Sequence, residues 1–269
     1  MRQTTKITIG VLAAFILLSI LYIFFLSTLE PEGKEKIKTE IRQTFGQTEV
    51  KPYKVALIKA KAIGKDELSA VLYGDLHFIN DTSGRYKIEY PEGVLPYLAF
   101  QPEGDTLKVI VDQVALAEAF HLKSNGRFSP MRGFNLKFTT DSSLQVINEM
   151  PCLEMRFDKQ TFGNLDIKTS KGVKIGSCTI RDLTVRSGCR SFEAAGSTIQ
   201  TLNLDLDDNE KWRIKDCQVE TENLTGSQTH YIELSKDECR RMNWIPKNEK
   251  ARLSIQLKKG EAFGMEFKE

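Results

Sequence analysis

The sequence predicts an all-β fold, a parallel β-solenoid with coils of about 19 residues, preceded by one N-terminal transmembrane helix. Three observations carry this reading. Residues 7–26, "ITIGVLAAFILLSILYIFFL", contain no charged side chain. From Lys54 onward, apolar residues alternate with polar ones over strand lengths, between clusters of Gly, Pro, Asn and Asp. The phrase "GSCTIRDLTV" at 176–185 returns as "AGSTIQTLNL" at 195–204 and as "KDCQVETENL" at 215–224, offsets of 19 and 20 residues.

The bulk composition sets the outer limits. The 269 residues are 41% hydrophobic and 28% charged, ordinary for a chain that packs a core. Net charge is +2, from 38 basic and 36 acidic residues, so no global field favours nucleic acid, which is excluded as a partner class. None of the five cysteines stands in a CxxC pair, and with three histidines the chain has no zinc-type ligand spacing. The odd, widely spaced set does not read as a disulfide framework either.

Taking the elements in order, residues 1–6 form a short cytoplasmic N-terminus and residues 7–26 the membrane helix. At 1.5 Å per residue that segment is roughly 30 Å long, the thickness of a hydrocarbon core. Arg2, Lys6 and the α-amino group precede it and mixed charges follow it, so the N-terminus faces the cytoplasm and the remainder is periplasmic or extracellular. The run exceeds a usual signal-peptide core and no small-x-small cleavage site follows, so an anchor is read in preference to a cleaved signal. Residues 27–52 are polar and form a juxtamembrane spacer, with one short helix around "KEKIKTEIRQTF". Lys34, Lys36 and Lys38 alternate there with Glu32, Glu35 and Glu40, a solvated face.

Residues 53–242 are the β-solenoid ectodomain. "KVALIKAKA", "LSAVLYGDLHFIN", "GRYKIEY" and "DTLKVIVD" read as strands, separated by the turn chemistry of "NDTSG", "YPEG" and "QPEGD". "QVALAEAF", 113–120, suits either a strand or a short helix. Farther on, three apolar columns share one register. Phe162, Ile180, Ile199 and Val219 form the first; Ile167, Val185, Leu204 and Leu224 the second; Val173, Phe192, Trp212 and Ile232 the third. Each coil then buries a stripe that it cannot bury alone, and stacking makes the core continuous. Residues 243–269 break the repeat and form a C-terminal cap over the last coil.

The same register aligns Cys178 with Ser197 and Cys217. Two rungs place the two thiols about 9.6 Å apart, past the limit of about 7 Å for a disulfide, so they stay unbridged and pack as small residues at a tight turn.

Taken together, "AVLYGDLHFINDTSGRYKIEYPEGVLPYLAFQPEGDTLKVIVD" and the rungs with "GSCTI", "RSG" and "AGSTI" resemble the bacterial "putative autotransporter adhesin, head GIN domain" family over residues 55 to 235. The resemblance implies a right-handed parallel β-helix on the exported side of a bacterial envelope, with no established enzymatic activity and no catalytic residues to transfer. The chain departs from that pattern in less Gly/Ser-rich turns ("IKDCQ") and in its spanning tether.

No catalytic, cofactor-binding or metal residue is assigned from the sequence. Asn203, Asp205 and Asp207, with Asp208 and Glu210 nearby, offer oxygens for calcium but lack a full loop signature, and an outward solvated face is the simpler reading. His77, His121 and His230 are isolated from any nucleophile motif. Asn80 and Asn223 match the glycosylation sequon, a chance match on a bacterial reading and a meaningful one in a eukaryotic secretory protein. Tyr73, Phe78, Tyr86, Tyr90, Tyr97 and Phe100 crowd the first half, and alternate aromatics of this kind pack inward. The expected function is that of a non-catalytic, membrane-anchored envelope protein binding a protein or a glycan. A carbohydrate-active β-helix enzyme, with paired acids on one face, and a scaffold subunit of an envelope complex are the alternatives.

Overall fold

The computed structural model describes residues 41, 44–64, 68–81, 84–121, 128–234 and 239–257, all within one compact unit spanning Thr39–Glu269. The expected membrane segment 7–26 and the helix expected around residues 34–45 lie outside the described residues, save for residues 41, 44 and 45 of the latter. Among the described residues no helix is long and apolar enough to cross a membrane.

The fold is all-β and its sheets are built largely from parallel pairs. The first half of the chain supplies β1 (Phe45–Glu49), β2 (Val55–Ala60), β3 (Ser69–Asn80), β4 (Lys87–Pro91), β5 (Leu98–Glu103), β6 (Thr106–Val111), β7 (Phe128–Arg132) and β8 (Leu136–Thr140). The second half supplies β9 (Ser143–Asn148), β10 (Leu153–Asp158), β11 (Thr161–Thr169), β12 (Gly172–Gly176), β13 (Thr179–Val185) and β14 (Ser191–Ala195). It closes with β15 (Thr198–Asp205), β16 (Lys211–Lys215), β17 (Gln218–Gly226), β18 (Thr229–Leu234), β19 (Cys239–Pro246) and β20 (Arg252–Leu257). One sheet runs β1-β4-β8-β3-β10-β12-β14-β16, with β7 beside β3, and the second runs β19-β17-β15-β13-β11-β9-β2-β6-β5.

From β9 to β17 the chain passes alternately from one sheet to the other, and from β11 each return pairs with the previous visit in parallel. Phe162 faces Ile180, Ile180 faces Ile199 and Ile199 faces Val219, steps of 18, 19 and 20 residues. Ile167, Val185, Leu204 and Leu224 follow the same register, and Val173, Phe192 and Trp212 do so in the other sheet. All the members of these columns except Trp212 are buried. Beyond them, Phe78 stacks on Phe138 and Phe157 with ring centroids 4.9 and 5.2 Å apart, and Phe157 meets Phe162 edge-on at 5.7 Å. Such pairs contribute about 0.5–1.5 kcal/mol beyond area burial.

One corner of each coil has a repeated construction. Lys159, Ser177, Gly196 and Asp216 take left-handed backbone with φ of 57°, 53°, 57° and 54°. The amide N–H of Lys159, Ser177 and Gly196 donates to the next coil, to Gly176 O, Ala195 O and Lys215 O. The residue after each bend of the last three coils is buried: Cys178, Ser197, Cys217. Their side chains donate back across the bend, to Gly176 O, Ala195 O and Lys215 O, and Ser197 Oγ also accepts the Cys178 amide at 3.0 Å. Neither cysteine forms a disulfide, nor do Cys152 and Cys189.

Several expectations need correction. Phe45–Glu49, placed in the spacer, is a strand paired antiparallel to β4, and Ile41 is already buried, because these residues complete the edge of the first sheet. The third column stops at Trp212: β18, which carries Ile232, pairs with β20 in a separate two-stranded sheet, so Ile232 faces Ile255. Residues 243–246, expected to open the cap, continue the ladder in β19, with Asn243 opposite Asn223 and Trp244 opposite Leu224. The open segment resolves as α1 (Gln113–Ala119), capped by Asp112, whose carboxylate accepts the Ala115 amide at 3.0 Å.

The first half is also less regular than a simple repeat. β2 lies between β6 and β9, and β3 between β8 and β10, so an early segment is enclosed by strands formed much later. β4 pairs antiparallel with β8, as β5 does with β6. Gly74 marks the point where β3 changes partner from β7 to β8; a Cβ there would stand 2.0 Å from Phe134 O, so the crossing admits only glycine.

Candidate functional site

The long strands β11, β13, β15 and β17 contain a bend that shapes the outer face. Phe162 and Leu165 both point inward with two residues between them, and the ladder omits one residue per strand, at Gly163, Arg181, Gln200 and Glu220. Each strand therefore has two outward legs. A groove lies over each leg.

Over the later leg, a groove of about 570 Å³ is lined by Thr184, Arg186, Asn203, Asn223 and Ile245 among others. Its polar groups bond chiefly to one another. Asn243 Nδ2 donates to Asn223 Oδ1 at 2.7 Å, Asn223 Nδ2 to Asn203 Oδ1 at 2.8 Å, and Asn203 Nδ2 to Thr184 Oγ1 at 3.4 Å. Arg186 grips Asp166 through Nε and Nη2 at 2.8 and 2.6 Å. Asn223, one of the two sequon residues, thus has both amide atoms engaged, and Asn80 of the other donates to Thr161 O.

At the end of that leg, the acids considered for calcium are occupied. Lys247 Nζ donates to both oxygens of Asp205, at 2.7 and 2.6 Å, and to Asp207 Oδ2 at 2.7 Å. Ser227 donates to Asp207 Oδ1 through its amide at 2.8 Å and its hydroxyl at 3.0 Å. Burial works against the ionised Asp207, but the hydrogen bonds from Lys247 and Ser227 outweigh it and bring its pKa to about 2. His230 lies 3.5 Å from the same Asp207 oxygen and edge-on to Trp244. Aspartate is thus the hub between serine and histidine, an arrangement that ties the turn down and does not activate the hydroxyl. Among the described residues no group of three or more His, Cys, Asp or Glu side chains is placed to hold a metal ion.

The earlier leg carries a larger groove of about 960 Å³ that crosses four coils at 161–163, 179–181, 198–200 and 218–220, with Ser142 at one end. Thr161, Thr179, Thr198, Gln200 and Gln218 are exposed in it. None of these five side chains makes a hydrogen bond among the described residues, in contrast to the amide ladder. Arg181 is turned partly away, to Asp182 at 2.9 Å and Asn164 at 3.0 Å.

The outer face of the other sheet is a lattice of ion pairs. Arg156 bridges Asp75 at 3.1 Å and Glu154 at 3.4 Å, Lys174 meets Glu154 at 2.8 Å, Lys87 and Lys137 flank Glu89, and Lys211 pairs with Glu193. His77 joins it 3.9 Å from Asp75, its pKa lowered by burial against the pull of that carboxylate. His121, the third isolated histidine, ends the turn after α1 with φ 48°. Of the crowded aromatics, Phe78 and Tyr90 are buried and Tyr86, Tyr97 and Phe100 half-buried against the core, while Tyr73 is exposed.

Sequence reasoning did not find either groove. The signal for one was present in the column Thr161, Thr179, Thr198, Gln218, which keeps the register of the apolar column beside it.

No family model matches this chain, and no curated protein does. Among solved structures it is similar to a "putative adhesin" of Bacteroides fragilis, at 13% identity and a TM-score of 0.42, covering 81% of this chain and 96% of that one. A "putative lipid binding protein" of Parabacteroides distasonis is similar at 13% identity and a TM-score of 0.38, over 86% and 100%. A "putative adhesin" of Parabacteroides merdae is similar at 11% identity and a TM-score of 0.29, over 81% and 94%.

Proposed function

We propose that this chain is a non-catalytic, single-pass envelope protein, held in the membrane by residues 7–26 with its N-terminus in the cytoplasm. Its ectodomain is a right-handed β-solenoid, periplasmic or extracellular, that binds a protein or a glycan in the manner of an adhesin. The observation that carries this reading is the outer face of β11, β13, β15 and β17, where a groove of about 960 Å³ crosses four coils and presents exposed hydroxyls and amides that bond to nothing else among the described residues. A groove that crosses several coils, largely apolar in its lining with hydroxyls and amides placed at regular intervals, suits an extended ligand.

The charge pattern supports binding over catalysis. A glycosidase needs a carboxylic acid that stays protonated at working pH beside a second carboxylate. Here Asp75, Glu154, Glu89, Glu193, Asp166, Asp205 and Asp207 are each matched by a lysine or arginine, and Asp207 is held ionised down to a pKa of about 2. The test passes the full chain, purified in mild detergent, over an array of glycans and envelope proteins. Specific retention without turnover is the expected result. Product release from any glycan refutes the non-catalytic reading, and silence across the array refutes the binding one.

A further inference from the structure

We infer that the groove over the earlier leg takes an uncharged, linear glycan whose chain runs along the stacking axis, one sugar unit per coil; this rests on the binding reading above. The groove repeats a hydroxyl or amide at the same place in four successive coils, from Thr161 through Thr179 and Thr198 to Gln218. Successive coils are about 4.8 Å apart. A β-linked pyranose unit in an extended chain is about as long; successive rings present opposite edges to the groove, the 2- and 3-hydroxyls of one and the ring oxygen with any exocyclic hydroxyl of the next, so a polar group still falls beside one threonine or glutamine per unit.

Other extended polymers fit less well. Side chains on one face of an extended peptide recur every 6.6–6.8 Å or so, and lose register with the coils by about 2 Å at each step. A peptide is not able to add as a strand there either, because β13 and β15 are paired on both edges and offer no free backbone. A polyanion finds no field to follow: Arg181 and Glu220, two coils apart in the groove, oppose each other in sign, and the remaining polar groups are neutral. Neutral donors and acceptors at one-unit spacing are the complement of a hydroxyl-rich neutral chain.

The experiment is isothermal titration of the full chain in detergent with cello-, chito- and xylo-oligosaccharides, from the disaccharide to the hexasaccharide. At least one series binds, with affinity that climbs to the tetrasaccharide and then levels off, because the groove spans four coils. Thr179→Val with Thr198→Val removes two hydroxyls while keeping β-branched side chains, and weakens the hexasaccharide about tenfold or more. Gly163→Leu is an independent block: a Cβ there stands 3.7 Å from Ser142 O, ordinary contact, so the side chain starts without a clash at a residue that lines one end of the groove. It abolishes the gain from the trisaccharide to the tetrasaccharide.

Absence of binding in all three series, binding without length dependence, or equal binding to both variants overturns the assignment. If that happens while the array still yields a ligand, the glycan assignment fails and the broader reading survives. If both are silent, both fail.

Discussion

The repeated corner makes a prediction whose sign depends on position. Lys159, Ser177 and Asp216 hold left-handed backbone at φ between 53° and 57°, where the equivalent coil has Gly196 at 57°. Left-handed conformation costs an L-residue roughly 1–2 kcal/mol, and glycine gives back about 0.4–1 kcal/mol of this through the greater freedom of its unfolded chain. Lys159→Gly therefore stabilises by about 0.5–1 kcal/mol, and Gly196→Ala destabilises by a similar amount. Asp216→Gly gains less, since aspartate tolerates this region better than lysine does. The bonds that close the corner use the backbone, as in Lys159 N–H to Gly176 O at 2.8 Å, and glycine keeps them.

Thermal and urea unfolding of the full chain in detergent measures this. For a domain of this size a change of 1 kcal/mol moves Tm by about 2–4 °C, so Lys159→Gly and Gly196→Ala separate by several degrees in opposite directions. Lys159 and Asp216 stand three coils apart, roughly 14 Å, so their gains add. An unchanged denaturant slope confirms that the folded state moved and not the compactness of the unfolded one. A Tm lowered by Lys159→Gly, or raised by Gly196→Ala, would show that these corners are not strained.

Four further outcomes follow from the geometry. Phe157→Ala, which removes a fully buried ring in contact with Phe78 and Phe162, costs about 3–5 kcal/mol in urea unfolding. Asn223→Ala takes the middle residue from the amide ladder and leaves Asn203 and Asn243 each short of a half-buried partner, a loss of about 1–2 kcal/mol by the same assay. Because the folded pKa of Asp207 is lowered to about 2, its contribution is complete above the unfolded carboxylate value near 4 and disappears as pH falls from there to 2; this acid-side loss of about 1–2 kcal/mol is much reduced in Lys247→Met. Burial pushes the Cys189 thiol up to about 11 and raises Cys178 as well, so iodoacetamide at pH 8 followed by peptide mapping labels half-buried Cys152 well before either of them.

The sequence by itself determined the strands from Lys54 onward, the coil length between β9 and β17, and the separation of Cys178 from Cys217. These are legible because side chains alternate with period two along a strand, and because stacked coils must repeat their inward residues in register. It also held the threonine column, which lies one residue before an apolar column that periodicity reveals. The tertiary structure alone decided the rest. Nothing local distinguishes a strand enclosed by later ones from a strand paired in sequence, so the placement of β2 and β3 among strands formed about 50 to 90 residues later had no signal in the chain. Ile232 kept the spacing of its column yet belongs to another sheet, since spacing specifies where a residue points and not which strand it meets. Lys247 reaches Asp205 and Asp207 from about 40 residues away, and that contact turned a cluster of acids into an ion pair. Pairing across coils is a contact between surfaces, and only the folded chain brings those surfaces together.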